Sequence, residues 1–213
     1  MKKLMVLYKV AFAALALVAV FLQFKDVLEM PNPNIANFFS YFTIESNIFA
    51  AAILLVSAAY VVCRKQSAQL SYLRGAATLY MAMTGIIYSL LLAGADVQIT
   101  VPWVNEVLHY IFPLVMVADW IIDRPEPGVR LKKAAWWLVF PILYLLYSLV
   151  RGHITNWYAY PFLNVKLHGL GDVLGSSMVI ALGVVVLAWA IVKVAQLGPE
   201  KTPAKKTAKK KRR

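Results

Sequence analysis

The stretch that decides the fold is residues 169–193, which read G-L-G-D-V-L-G-S-S-M-V-I-A-L-G-V-V-V-L-A-W-A-I-V-K. Between Asp172 and Lys193 this stretch carries no charged side chain. A helix needs about 20 mainly apolar residues to cross the hydrocarbon core of a bilayer. The stretch meets that requirement without interruption, so it is predicted to be a transmembrane helix.

Five further apolar runs precede this one along the chain. The chain has 213 residues, of which 61% are hydrophobic and 15% are charged, a composition too apolar for a soluble domain. The sequence therefore predicts an all-α polytopic membrane protein with a six-helix bundle over residues 1–195 and a disordered basic tail at 196–213. The first five runs lie at roughly 4–24, 38–62, 72–93, 103–122 and 135–150.

The distribution of basic residues predicts the orientation of the bundle. With the N-terminus inside, the outer connections hold only Lys25, Arg151 and Lys166 of the 22 lysines and arginines. Cytoplasmic loops of membrane proteins are enriched in Lys and Arg, so both termini are predicted to be cytoplasmic. The basic tail is expected to contact anionic lipid headgroups, at about 1 kcal/mol per basic residue, and no specific nucleic acid.

Two glycines and two prolines predict local features of three helices. Gly171 and Gly175 are four residues apart, a spacing that lets a second helix approach closely. Pro113 and Pro141 fall inside the fourth and fifth runs and are expected to kink them, because proline lacks an N–H group.

Polar side chains interrupt three of the predicted helices near the outer face. Such groups cost several kcal/mol in hydrocarbon unless they face a bundle interior or a water-filled cavity, so they mark candidate functional positions. They are Thr43, Ser46 and Asn47 in the second run, Asn105, Glu106 and His109 in the fourth, and His168 and Asp172 at the start of the sixth.

Thr43 and His109 are predicted to lie at one depth. Counted from the outer ends of their runs, they lie about 7 Å and about 10 Å into the membrane. A threonine hydroxyl becomes a useful nucleophile when a base takes its proton, and neutral histidine is such a base when its other ring nitrogen is held. We therefore predict a Thr43–His109 dyad in an outer-leaflet pocket that acts on a lipid ester and needs no cofactor.

Other polar residues are assigned supporting roles around the dyad. Ser46 and Asn47 share the helix face of Thr43, and Asn47 is a candidate to hold an oxyanion. The candidates to orient His109 are Asn105, Glu106 and Asp172.

The outer connection 151–168 is rich in aromatic residues and is long enough to fold back over the bundle as a lid. Aromatic segments at this level also form interfacial belts, and both interpretations stay open. The residues predicted to line the pocket or to form the lid are His153, Trp157, Tyr158, Tyr160, Pro161 and His168.

Two other functions are compatible with the sequence. The three histidines, His109, His153 and His168, all fall on the outer side, so a metal-dependent lipid hydrolase is the first alternative. In that case His168 and Asp172 would share a zinc ion. The second alternative is a non-catalytic carrier of lipid or small solutes, although the inner half has almost nothing polar before Asp119.

Each polar residue also has a structural interpretation. Threonine in a membrane helix commonly bonds to the carbonyl one turn back. Asparagine and histidine commonly join neighbouring helices through hydrogen bonds. Sequence spacing does not separate these roles from catalytic ones.

Several motifs together resemble one known family. They are, in order, Lys25 followed by Glu29-Met30-Pro31, then Phe42-Thr43, then Asn105 and His109, and then His153-Ile154-Thr155 leading to Tyr160-Pro161-Phe162-Leu163. Over about residues 20–165 the chain resembles the androgen-induced and androgen-dependent TFPI-regulating proteins, which are multi-span membrane hydrolases. The resemblance implies threonine-dependent cleavage of fatty acid esters of hydroxy fatty acids, with Thr43 as the nucleophile and His109 as the essential histidine.

The chain departs from the pattern of this family in several places. The helix around Thr43 otherwise shares little with the animal proteins, Pro113 stands one residue closer to the histidine, and Glu106 stands where no acid is expected. The lysine-rich tail is peculiar to this chain and suggests a bacterial relative, located in the inner (plasma) membrane. The fold and the dyad therefore carry over more readily than the identity of the lipid.

Overall fold

Six long helices account for most of the computed structural model, which describes residues 2–93, 101–125 and 129–197. These residues are 85% helical and include no strand. All six helices are long and apolar enough to cross a membrane, so the predicted multi-span membrane fold is confirmed. We number them α1 to α6, with bounds Lys2–Leu28, Phe42–Val62, Ala68–Leu92, Pro102–Ile122, Leu131–Thr155 and Val165–Gln196.

The predicted start of α2 at residue 38 is too early, since the helix begins at Phe42. A separate short helix, Ile35–Phe38, precedes it and is capped by Asn34, whose side-chain oxygen accepts from the N–H of Asn37 at 3.0 Å. Hydropathy does not detect this break, because the residues on both sides of it are apolar. The predicted tail from 198 onward lies outside the described residues.

The helix α3 lies at the centre of the bundle and contacts α2, α4 and α6. It is the most buried of the six, whereas α1, α5 and α6 direct most of their residues outward. The helix α1 packs on α2 through Ala13, Ala16 and Ala19, which are fully buried. Small side chains at this spacing let two helices approach closely.

Four charged side chains hold α1, α3 and α4 together at one end of the bundle, which we call the charged end. Lys9 Nζ lies 2.5 Å from Asp119 Oδ1 and 2.9 Å from Asp123 Oδ2. Arg74 Nη2 lies 2.7 Å from Asp119 Oδ2 and 3.3 Å from Asp123 Oδ2. Lys9 is 0% exposed, and a charge so deeply buried persists only when it is paired.

The opposite end of the bundle, which we call the Thr43 end, contains two π-helical turns, Tyr88–Leu92 in α3 and Val107–Ile111 in α4. In the second turn the N–H of Phe112 reaches back to the carbonyl of Val107, next to Pro113. The expected disturbance near Pro113 thus takes the form of a π-bulge, a feature that is frequent at functional sites.

The features predicted from Pro141 and from the pair Gly171 and Gly175 differ from those in the structure. The irregular turn of α5 lies at Ala135–Leu138, before Pro141, and the helix is regular from Val139 to Thr155. A Cβ atom added to Gly171 or Gly175 would meet nothing within 4 Å, so the close helix approach predicted for this pair is not found among the described residues.

Candidate functional site

Thr43 lies in the first turn of α2, where two tyrosines from distant segments cap the helix. The N-cap residue Tyr41 gives no side-chain hydrogen bond, so the first N–H groups of the helix need other acceptors. The Tyr144 hydroxyl accepts from the N–H of Phe42 at 3.3 Å, and the Tyr160 hydroxyl accepts from the N–H of Thr43 at 3.2 Å. Both phenols therefore hold the start of α2 in place.

The Thr43 hydroxyl also contacts Tyr160, with Oγ1 lying 3.3 Å from the phenol oxygen. In the described residues Thr43 makes no bond to a carbonyl one turn back. Thr78 and Thr84 each make such a bond, at 2.9 Å, to Arg74 and Tyr80 respectively. Thr43 thus differs from two other buried threonines of the bundle in the environment of its hydroxyl.

Tyr160 remains protonated near neutral pH. Burial raises the pKa of its phenol to about 12, and the hydrogen bonds with Thr43 act in the opposite direction. Because the phenol oxygen accepts from the N–H of Thr43, its own proton is available for the Thr43 hydroxyl or for a ligand beside it.

Ser46 and Asn47, both 0% exposed, fix Thr43 relative to the neighbouring helices. Asn47 Nδ2 donates to the carbonyl of Thr43 at 2.8 Å and to that of Leu108 at 3.3 Å, so one amide joins α2 to the residue before His109. Ser46 Oγ donates to the carbonyl of Thr43 at 3.2 Å and lies 3.0 Å from the hydroxyl of Thr84 on α3.

His109 lies in the π-helical turn of α4 and is 7% exposed. Its Nδ1 is 3.2 Å from the carbonyl oxygen of Asn105. A carbonyl only accepts, so Nδ1 carries the proton and Nε2 is the basic nitrogen. The ring stacks on Tyr88 with centroids 3.9 Å apart, and the Tyr88 hydroxyl accepts from Asn105 Nδ2 at 2.7 Å. Asn105 therefore holds the imidazole directly through its backbone and indirectly through Tyr88.

Thr43 and His109 line the same cavity, whose volume is about 300 Å³. No direct hydrogen bond joins the two side chains, and the direct partner of Thr43 Oγ1 is Tyr160. The lining of this cavity also includes four residues with side-chain amides, Gln23, Asn32, Asn34 and Asn37. We call it the polar cavity.

Thr43 also lines a second cavity, with a volume of about 160 Å³. We call it the apolar cavity, since most of its lining is aliphatic or aromatic. Thr43 is the one described residue that lines both cavities. Residues typical of the apolar lining are Met83, Ile87, Leu92, Leu138, Leu145 and Phe162.

The segment 156–164 folds back over the Thr43 end and contributes to both cavities. Trp157 lines the polar cavity, whereas Tyr160 and Phe162 line the apolar one. The rings of Tyr160 and Phe162 stack with centroids 5.3 Å apart. The position of this segment is therefore that of a cover over the bundle end.

Several contacts fasten this cover to α5 and to the connection before α2. The guanidinium of Arg151 lies 4.6 Å from the ring centre of Trp157, and its Nη2 donates to Asn37 Oδ1 at 2.6 Å. Tyr158 packs on Gly152 so closely that a Cβ atom at Gly152 would overlap the ring. A larger side chain at this position would therefore displace the Tyr158 ring.

Other residues predicted for the site lie apart from it. Glu106, His153, His168 and Asp172 are exposed and line neither cavity. Pro161 is also exposed and begins a short 3₁₀ helix, Pro161–Leu163. Gly169, with φ of 77°, breaks the helix between His168 and Asp172, so their four-residue spacing does not place them on one helical face.

Among the described residues no group of three or more His, Cys, Asp or Glu side chains is arranged to hold a metal ion. Of the three histidines, only His109 is buried. The alternative of a three-histidine metal site therefore gains no geometric support.

Tyr88 and Tyr144, which complete the site, were not among the residues predicted from the sequence. Each phenol lies within a membrane-spanning helix, at Tyr88 in α3 and Tyr144 in α5. A buried tyrosine needs a hydrogen-bond partner for its hydroxyl, so a tyrosine within an apolar run was the available signal. Here the partners are Asn105 Nδ2, the N–H of Phe42 and the carbonyl of Ser40.

Comparison with protein-family models, with curated proteins and with solved structures gave no match. The resemblance to the androgen-induced family accordingly stays a prediction.

Proposed function

We propose that the protein is an intramembrane lipid esterase in which Thr43 is the nucleophile and His109 the general base. One observation carries the proposal. Thr43 lines both the polar cavity, which also contains His109, and the apolar cavity. A lipid ester has an acyl portion and an alcohol portion, and a carbonyl carbon beside Thr43 would let one portion enter each cavity.

The apolar cavity accepts the acyl chain of the substrate in this proposal. Its lining includes Ile142 of α5 and Val185 of α6, which are also 55% and 50% exposed on the outside of the bundle. An acyl chain therefore enters sideways from the bilayer between these helices. The alcohol portion of the ester lies in the polar cavity among the asparagine side chains.

The reaction proceeds in two acyl transfers. Thr43 Oγ1 attacks the carbonyl carbon while its proton passes through a water molecule of the shared cavity to His109 Nε2. The ester C–O bond breaks, and the departing alcohol oxygen takes the proton from His109. Water then attacks the acyl-threonine, gives its proton to His109, and the fatty acid leaves as Thr43 recovers its hydroxyl proton.

Two features stabilise the charge that develops in these steps. The start of α2 carries the positive end of the helix dipole, which favours negative charge near Thr43. The protonated Tyr160 phenol lies 3.3 Å from Thr43 Oγ1 and is positioned to donate to the oxyanion of the tetrahedral intermediate.

The Thr43 end is assigned to the outer leaflet of the plasma membrane, on the basis of the Lys and Arg distribution. The substrate class, fatty acid esters of hydroxy fatty acids, comes from the family resemblance. The apolar acyl chain of such an ester suits the aliphatic and aromatic lining of the apolar cavity.

The test uses purified full-length protein in detergent, a fluorophosphonate probe, and lipid ester hydrolysis followed by mass spectrometry. The wild-type protein is expected to be labelled by the probe and to hydrolyse the ester. Both labelling and hydrolysis are expected to be lost in Thr43→Ala and in His109→Ala. The matched controls are Thr78→Ala, a buried threonine that bonds its own helix, and His153→Ala, an exposed histidine at the same end. Both controls are expected to behave like wild type.

Two results would overturn the proposal. Hydrolysis that survives Thr43→Ala but stops on chelation would assign the activity to a metal. Absence of turnover for every acyl ester tested would favour a carrier.

A further inference from the structure

A cavity of about 520 Å³ lies at the charged end of the bundle, far from Thr43. It is formed by the start of α1, the end of α2, the start of α3 and residues 123–125 after α4. Nothing in the proposed esterase chemistry uses this cavity. We call it the basic cavity because of the side chains in its lining.

The described lining of the basic cavity contains five cationic side chains and one carboxylate, Asp123. Arg74 is the one lining cation that takes part in the buried network with Lys9, Asp119 and Asp123. The other four form no ion pair with a carboxylate among the described residues. They are Lys2, Arg64, Lys65 and Arg124.

Arg74 presents an unsatisfied buried donor at this cavity. The residue is 7% exposed, and its hydrogen bonds to Asp119 and Asp123 all leave from Nη2. Its Nε is shielded from solvent and has no hydrogen-bond partner. Buried donors are satisfied in nearly all folded proteins, so this guanidinium keeps the capacity to donate to an acceptor that reaches it.

Arg64 occupies a backbone conformation that normally selects glycine. Its φ is 53°, and it follows the C-cap of α2, where the N–H of Lys65 bonds to the carbonyl of Tyr60 at 3.0 Å. This is the glycine position of a Schellman motif. The chain thus keeps a long cationic side chain in the cavity wall at a conformational cost.

The start of α3 adds a further positive element. Ser67 caps this helix through its hydroxyl, and the first helical residue, Ala68, lies in the cavity lining. The N-terminal end of a long helix favours anions.

We propose that the basic cavity binds a phosphate-bearing anion, either the headgroup phosphate of an anionic lipid or a soluble phosphate ester. Guanidinium groups match phosphate oxygens geometrically, and the buried Arg74 supplies a donor whose position the ion network fixes. The inference is independent of the esterase site, since the two cavities lie at opposite ends of the bundle.

The test measures binding to full-length protein in a neutral detergent at fixed ionic strength, from intrinsic tryptophan fluorescence and from Tm. The soluble arm uses glycerol phosphate, the lipid arm uses dioctanoyl phosphatidate, and dioctanoyl glycerol is the phosphate-free control. Saturable binding in both arms supports recognition of the phosphate alone. Binding of phosphatidate alone supports a lipid headgroup as the ligand, and binding in neither arm overturns the proposal.

Arg64→Gly is the decisive variant, because glycine is favoured at this φ and the fold is retained. Affinity is expected to fall about tenfold, as for loss of one charge-assisted hydrogen bond, while Tm without ligand stays at or above that of wild type. Lys132→Gln removes the same charge at the charged end but outside the cavity lining. Equal weakening by both variants would show unspecific attraction and would overturn the proposal.

Discussion

The phenol of Tyr160 contacts Thr43 twice, at the backbone N–H (3.2 Å) and at the hydroxyl (3.3 Å). The two residues are 117 positions apart in the chain, so this contact ties the connection after α5 to the first turn of α2. A single phenol thereby caps the helix and faces the candidate nucleophile.

Tyr160→Phe should reduce lipid ester hydrolysis about 100-fold, because it removes a donor beside the developing oxyanion. It should also cost about 1 kcal/mol of folding free energy through the lost cap. The steady-state rate and the unfolding midpoint measure the two effects. Tyr158→Phe, whose ring packs on Gly152, is the control and should change neither. Full activity in Tyr160→Phe would remove the phenol from the mechanism.

The pH dependence of stability should also depend on Tyr160. Its pKa in the folded protein is raised to about 12 from an ordinary value of 10.0, because burial disfavours the phenolate. Between these values the folded state binds more protons than the unfolded state, so stability falls as pH rises. The contribution is complete below pH 10 and is lost as pH rises through 12. Tm measured across this window should fall less steeply in Tyr160→Phe than in wild type, and identical slopes would contradict the assignment.

Gly85→Ala should impair the site without touching a reacting group. A Cβ atom at Gly85 would lie 3.1 Å from Pro113 Cβ and 3.3 Å from the carbonyl oxygen of His109, closer than ordinary contacts. The helix α4 must shift to relieve this, and the imidazole shifts with it, so kcat should fall by at least about tenfold. Gly175→Ala makes the same change in open space and should preserve kcat. A Gly85→Ala enzyme with normal kcat would show that α4 tolerates the movement.

Lys9→Met should destabilise the bundle strongly. In the variant, Arg74 is the one remaining counter-ion in the network for Asp119 and Asp123. Asp119 is only 2% exposed. Breaking a buried pair by removing one partner costs about 3–5 kcal/mol. Unfolding in a denaturing detergent measures the effect. Lys132→Gln, exposed on the same end, should leave the midpoint unchanged.

The membrane fold could be predicted from the sequence because hydropathy follows burial in lipid directly. All six helices were predicted, and the boundary error at the start of α2 arose where Asn34 caps a short helix between apolar residues. Hydropathy is averaged over many residues, so it does not detect a break that one capping side chain produces by bonding to a single N–H group.

The site was harder to predict, because spacing along one helix does not reveal contacts between helices. The polar stripes on α2 and α4 predicted that Thr43 and His109 lie near one level, and in the structure the two residues line one cavity. The interpretation of His168 and Asp172 assumed a continuous helix, which Gly169 interrupts. The role of Tyr160 depends on how the segment after α5 folds back, for which no local pattern exists.

The ion network also sets an order for biogenesis. Lys9 is synthesised 110 residues before Asp119, so the first helix reaches the membrane while its counter-ions are still unmade. Until then its ammonium group must stay hydrated at the surface. Formation of the Lys9 ion pairs is therefore a late event in translation, completed after the fourth helix has left the ribosome.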